Sequence, residues 1–310
     1  MRFRSFSPAL ASLALPLSAA LATAAAPLAA QQPPQDSIQV VDVAPGVKML
    51  MGRGGNVGVS SGADGVFLVD DQYAPATPAI RRAVARFAGS AAIRFVLNTH
   101  WHGDHTGGNE NMGGAGVLIV AHDNVRRRMS TEQFIAAFGD TVPPSPRAAL
   151  PVVTFAEDVT FHLNGDEIHA FHVAPAHTDG DAVVHFRRAN VLHMGDTFFN
   201  GVYPFIDLSS GGSVEGMIAA AERGLALAVA NTKIIPGHGP LATRDQLRAY
   251  RDVLVAARDR VRAAIAAGRT LEQVKAARPL AEFDATWGAG FMKPDNFLAI
   301  VYQDLSRARR

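Results

Sequence analysis

From Ile38 to Asp71 the apolar runs Val47 to Met51, Val57 to Ser60 and Val66 to Val69 alternate with glycine punctuation at Gly52, Gly54-Gly55, Gly62 and Asp64-Gly65. Short apolar runs broken at such intervals predict antiparallel strands joined by tight turns. Thr77, as cap, followed by Pro78 then opens a helix ending near Gly89, and Ile93 to Leu97 reads as a buried strand. Downstream the pattern resumes, with strands near Val152 to Phe155, Val159 to Leu163, Asp166 to Val173, Ala182 to Phe186 and Val191 to Met194. A helix over about Ser213 to Val229, a strand at Lys233 to Ile235, a long helix from Thr243 through Ala267 and a helical tail complete the chain. Strand runs with helices grouped in each half predict an α+β fold in which helices cover the outer faces of two packed sheets. No linker separates the halves, so residues 31–310 are expected to form one domain whose C-terminal part, from about 243, is a helical extension. The Pro143-Pro144-Ser145-Pro146 cluster is expected to be an ordered surface loop between the halves.

The N-terminus changes this picture. Arg2 and Arg4 precede an uncharged, alanine- and leucine-rich stretch from Ser5 to Ala30, followed by polar Gln31 to Asp36. A basic start, an apolar core and small residues before a polar segment make residues 1–30 a signal peptide, and the mature protein periplasmic or secreted. No other segment is apolar enough to span a membrane, so no stable insertion is expected after the leader is cleaved. The 310 residues contain no cysteine, which removes disulfides, thiolate ligands and thiol nucleophiles from consideration. A formal charge of +1, with no basic run longer than Arg126-Arg127-Arg128, argues against a nucleic-acid partner and leaves a small-molecule substrate.

The chemistry is concentrated in His100-Trp101-His102-Gly103-Asp104-His105, directly after a predicted strand and before Thr106-Gly107-Gly108-Asn109. Packing gives no reason to collect three histidines and an aspartate on one glycine-rich turn. Imidazole and carboxylate are ligands that Zn²⁺ accepts, and one tetrahedral ion cannot readily use all four side chains of so short a loop. Two ions sharing the loop can, if partners come from elsewhere. His177, Asp196 and His238 are the candidates, each a polar residue just past an apolar strand. The remaining histidines, 122, 162, 169, 172, 185 and 193, fall on strands or outside such loops and read as core or surface residues.

Over roughly residues 38 to 245 the chain resembles the metallo-β-lactamase superfamily, in its H-x-H-x-D-H motif and in the order His, Asp, His of the later candidates. The resemblance implies a four-layer αβ/βα sandwich. It implies two zinc ions per chain: His100, His102 and His177 on one, Asp104, His105 and His238 on the other, and Asp196 bridging. It further implies a hydrolase whose hydroxide forms on the metal, with Asp104 as the catalytic residue that orients the nucleophile or carries its proton. Asp70 and Asp71 are placed to hydrogen-bond a ligand histidine.

Three substrate readings stay open. Export favours β-lactam hydrolysis, the leading expectation. Asp196, where the best-known lactamase subclass has cysteine, resembles lactonases, esterases and glyoxalase-type thioesterases instead. Asn200 and Tyr203 are the candidate substrate-binding residues, Tyr203 as a donor to the oxyanion, and Met49 to Asn56 is a candidate flap. A periplasmic metal-binding protein without activity is the non-enzyme alternative.

Overall fold

The computed structural model describes residues 37–307; the proposed leader, residues 1–30, lies outside the described residues. Strands β1 (Gln39–Ala44), β2 (Val47–Met51), β3 (Val57–Gly62) and β4 (Gly65–Val69) form a meander. Helix α1 (Thr77–Ala88) then crosses to β5 (Ile93–Asn98), which pairs parallel to β4. Thr77 is already the first helical residue and Ala76 its cap, so the helix starts one position earlier than the sequence suggests. Two short helices, α2 (Gly103–Thr106) and α3 (Asn109–Gly114), lead to β6 (Leu118–His122) and α4 (Asp123–Met129). A separate hairpin of β7 (Gln133–Ile135) and β8 (Asp140–Val142) follows, then β9 (Val153–Phe155).

The second half supplies β10 (Asp158–Leu163), β11 (Asp166–His172), β12 (Ala182–Phe186), β13 (Val191–His193), helix α5 (Val214–Leu227), β14 (Lys233–Ile235) and β15 (Ala242–Thr243). Helices α6 (Arg244–Ala266), α7 (Leu271–Ala277), α8 (Ala281–Trp287) and α9 (Pro294–Arg307) complete the chain. The first sheet has the order β1-β2-β3-β4-β5-β6-β9 and the second β10-β11-β12-β13-β14-β15.

Alternation along the strands explains the layering. Met49, Phe67, Val69, Leu97 and Val120 point inward and meet Ile168, Ala170, Ala182, Val184 and Phe186 of the other sheet. Their neighbours Leu50, Leu68 and Val96 point outward under Ile80, Ala83 and Val84 of α1. On the far side Val183 and Leu192 pack beneath Met217 and Ala221 of α5 and Leu247, Tyr250 and Leu254 of α6. The central strands of both sheets are thus buried on both faces, which gives the expected four-layer αβ/βα sandwich and accounts for strands that read as continuous apolar runs.

Two sequence expectations are corrected. β9 was expected with the second half, but it pairs parallel to β6 and closes the first sheet. The proline cluster therefore lies within the first half, after the β7–β8 hairpin, and its Pro143 and Pro146 line a cavity. Among the described residues no helix is long and apolar enough to cross a membrane.

Candidate metal centre

The loops after β4, β5, β11, β13 and β14 converge on one edge of the sandwich. They carry Asp70, the 100–105 turn, His177, Asp196 and His238. Donor atoms of three groups lie within 4.8 Å of one another: His100, His102 and His177; His100, His105 and Asp196; Asp104, His105 and His238. All seven residues singled out for metal binding are therefore brought together, and Asp196 lies between the two halves of the cluster. Its Oδ2 is 3.5 Å from His177 Nε2 and 3.4 Å from His238 Nε2.

Hydrogen bonds on the outer edge of each ring fix which nitrogen faces inward. Thr99 gives its hydroxyl proton to Asp70 Oδ2, so its Oγ1 can only accept from His100 Nδ1, at 3.1 Å. His105 Nδ1 donates to Asp70 Oδ2 at 2.8 Å, and His177 Nδ1 donates to the Phe205 carbonyl at 2.8 Å. His102 is reversed: its Nε2 donates to Asp207 Oδ2 at 3.1 Å, leaving Nδ1 inward. These assignments leave two unprotonated nitrogens, His102 Nδ1 and His177 Nε2, facing each other at 2.8 Å. Two lone pairs at that distance repel unless a cation lies between them. His100 Nε2 and Asp196 Oδ1 are likewise buried without a hydrogen-bond partner. The donor set thus fits a borderline divalent metal such as zinc.

Electrostatics agree. Burial pushes the His100 and His177 imidazoles down, His177 to about 4, so both are neutral donors. For Asp104 burial acts upward, but His105 and the hydrogen bond from His238 outweigh it and hold the carboxyl at about 2. Burial would also raise Asp196, yet His238, His105 and His177 keep it well below the usual range. In return the carboxylates overcome burial to raise His105, and lift His238 to about 9. Asp104 and Asp196 thus favour positive charge at the His105–His238 end of the cluster.

Asp70 sits at φ +65°, a left-handed conformation unusual for a non-glycine residue, and accepts from Thr99 N, Thr99 Oγ1 and His105 Nδ1. Asp71, paired with it in the sequence reading, does not reach a ligand; its Oδ1 accepts from Gly108 N and orders the turn after the motif. The Met49 to Asn56 segment is no free flap. Gly55 N donates to Asp104 O and Asn56 N to Gly237 O, and a Cβ on Gly55 would lie 2.0 Å from His105 Cε1. Glycine is needed there for close approach to the site. His193 is structural: Nε2 donates to Asn56 O and Nδ1 accepts from Gly195 N.

A cavity of about 710 Å³ opens over the cluster. Trp101, Ile135, Phe138, Phe205 and Phe291 form its apolar walls, with Arg53 and Tyr73 among its lining residues; Asp104, Asp196 and His238 reach its floor. The β7–β8 hairpin supplies one wall and the loop before α9 the other. Neither substrate candidate lies in it. Tyr203 is fully buried, stacks on Phe297 and donates to Asp284, because the C-terminal helices pack over it. Asn200 donates to the Pro240 carbonyl and braces the His238 loop from behind. Sequence reasoning missed Asp207, the Phe205 carbonyl, Phe138 and Phe291. A strand-end search could reach none of them, since each lies in an irregular loop or at a hairpin tip.

A model of the metallo-beta-lactamase superfamily matches residues 50–273. A hydroxyacylglutathione hydrolase from Nitrosococcus oceani is 32% identical over 149 residues, 47% of this chain and 48% of that protein. The chain thus spans about half the length of this relative. Among solved structures, a metallo-beta-lactamase from Pontibacter korlensis aligns with a TM-score of 0.58 at 19% identity, covering 70% of this chain and 99% of that one. The stereoselective inverting sec-alkylsulfatase Pisa1 from Pseudomonas sp. aligns with a TM-score of 0.64 at 17% identity, over 86% of this chain and 50% of that one. At these identities the two structures share the fold.

Proposed function

Because the chain belongs to the metallo-beta-lactamase superfamily, we propose that it is an exported, zinc-dependent hydrolase of a compact cyclic amide or ester, with a β-lactam as the leading substrate. The observation that carries this reading is the cluster of imidazoles whose outer nitrogens are locked as donors and whose inner nitrogens converge beside Asp196 beneath a cavity.

In this reading His100, His102 and His177 hold one ion, Asp104, His105 and His238 a second, and Asp196 both. Zinc bound there supplies Lewis acidity and lowers the pKa of a water toward about 7. The protein's own groups do the rest. Asp104 opens onto the cavity floor, where its free carboxylate oxygen can take the proton of the attacking water and return it to the leaving atom. Trp101, Phe138, Phe205 and Phe291 offer apolar surface to the body of the substrate and keep bulk water from its carbonyl.

A glyoxalase-type thioesterase is the second reading, favoured by the relative from Nitrosococcus oceani. It needs free cations for the glutathione carboxylates. The arginines of the C-terminal helices are instead engaged: Arg248 with Asp245, Arg251 with Glu222 and Asp252, Arg258 and Arg262 with Glu215, Arg260 with Glu282. The apolar cavity walls favour the cyclic substrate.

The test is the mature protein assayed against β-lactams, lactones and glutathione thioesters, with its metal content measured in parallel. Two equivalents of zinc and chelator-sensitive cleavage of a cyclic substrate are expected. A metal-free protein of unchanged activity would refute the reading, and metal without turnover on any substrate would leave a metal-binding protein. N-terminal sequencing of the exported protein should start near residue 31; a retained leader would contradict cleavage and leave residues 5–30 as a membrane anchor.

A further inference from the structure

His102 is the odd member of the cluster. His100, His105, His177 and His238 all turn Nε2 inward, whereas His102 presents Nδ1. That orientation needs an acceptor on the Nε2 side, and the one present is a carboxylate 105 residues further along the chain, in the loop between β13 and α5. Asp207 is 1% exposed, and every polar contact it makes has a direction. Its Oδ2 accepts from His102 Nε2 and from Ser210 Oγ, which in turn accepts from Trp101 Nε1 at 3.1 Å. Its Oδ1 accepts from Ser209 N, Ser210 N and Ser209 Oγ. Because Ser209 spends its hydroxyl proton on Asp207, its oxygen is left to accept from Ala136 N at 3.2 Å. Ala136 follows β7 directly, in the hairpin that walls the cavity.

We propose that Asp207 is a positioning residue for His102 and that, through Ser209, it ties the orientation of this ring to the seating of the β7–β8 hairpin. The inference rests on the zinc reading above. Two consequences separate a positioning role from simple loop packing. A carboxylate behind a ligand imidazole fixes its tautomer and raises its basicity, so removing it weakens metal binding. The path Ala136–Ser209–Asp207–His102 also links the two ends, so metal bound by His102 steadies the hairpin and a substrate pressing on the hairpin is felt at the ligand.

The measurements need no substrate. Zinc affinity from chelator competition should fall about 10- to 100-fold in Asp207→Ala, and the visible spectrum of the cobalt-loaded protein should shift in Asp207→Asn, where a carbonyl and an amino group replace the carboxylate. In Ser209→Ala, which keeps the Asp207 carboxylate, zinc affinity should fall far less than in Asp207→Ala, by about the coupling to the hairpin that it removes. Hydrogen–deuterium exchange of residues 133–142 should slow on adding zinc to the wild type, and this protection should be lost in both Asp207→Ala and Ser209→Ala. Wild-type affinity and an unchanged cobalt spectrum in both Asp207 variants would overturn the positioning role, even if their metal-free forms melt lower. Zinc-dependent protection that survives in Ser209→Ala would overturn the link to the hairpin. A wild type that takes up no zinc would instead overturn the underlying reading, and this inference with it.

Discussion

At the scale of single residues the site is governed by which side of each imidazole carries its proton. Asp70 does this for two rings at once, directly for His105 and through Thr99 for His100. Asp70→Ala should therefore impair both proposed ions, with zinc content falling below one equivalent per chain; a variant retaining the wild-type content would show that the rings are held by packing alone. Gly55 tests the same geometry sterically. A Cβ there meets His105 Cε1 at 2.0 Å, and the Gly55 backbone cannot retreat because its N–H is bonded to Asp104 O. Gly55→Ala is expected to displace His105, to cost about 1–3 kcal/mol by overpacking, and to lose the ion of Asp104 and His238. Metal analysis with a thermal melt checks both effects. The seven residues that the structure brings together were legible in the sequence because three histidines and an aspartate within six residues stand out from the rest of the chain. Asp207 was not, since an aspartate before two serines reads as an ordinary turn, and it does also cap the short turn at Leu208–Ser210. Tyr203 misled for the converse reason: proximity in sequence to Asp196 says nothing of the direction in which a buried ring points.

At the scale of elements, legibility followed length and periodicity. β2, β12, β14 and α6 lie where the apolar pattern put them, and Thr243 caps α6 with a complete capping box to Gln246. Replacing that cap with Thr243→Ala should cost about 1 kcal/mol and lower the melting temperature while leaving zinc binding intact; a loss of zinc would mean that the start of α6 positions the site, through the packing of Tyr250 on Phe198 beside Asp196. β6, β7 and β8 escaped the sequence reading. The last two are three residues long, too short for a period to register. β9 was seen but assigned to the wrong sheet, because an apolar run reveals that a strand is buried and not which neighbour it pairs with. The missed hairpin matters most for function. Phe138 at its tip is 53% exposed and touches Phe205, whose ring stacks against His102. Phe138→Ala should raise KM several-fold for a substrate with an apolar substituent and leave the metal content unchanged. An unchanged KM would show that the substrate does not use this wall.

At the scale of the whole molecule the candidate metal cluster lies on a seam. His100, His102, Asp104 and His105 follow β5 of the first sheet, whereas His177, Asp196 and His238 follow β11, β13 and β14 of the second. Each proposed ion takes ligands from both sheets. The 310 residues hold no cysteine, so no disulfide shares that task, and the sheets otherwise meet through apolar side chains such as Phe67 and Phe186 and through hydrogen bonds such as those of Asn56 and Asn164. Ions that bind the folded site and not the unfolded chain stabilise it by RT ln(1 + [Zn]/Kd), about 4 kcal/mol when free zinc exceeds Kd by a thousandfold. For a domain of this size that corresponds to a rise in melting temperature of roughly 10 °C. Stripping the protein with a chelator should therefore lower its melting temperature by about that amount, and added zinc should restore it in a concentration-dependent way. His102→Ala and His238→Ala, which remove one ligand from each half of the cluster, should each lose part of the shift. A melting temperature indifferent to chelator would mean that the seam is closed without metal, by its apolar contacts and hydrogen bonds, and that the clustered imidazoles hold no ion of consequence.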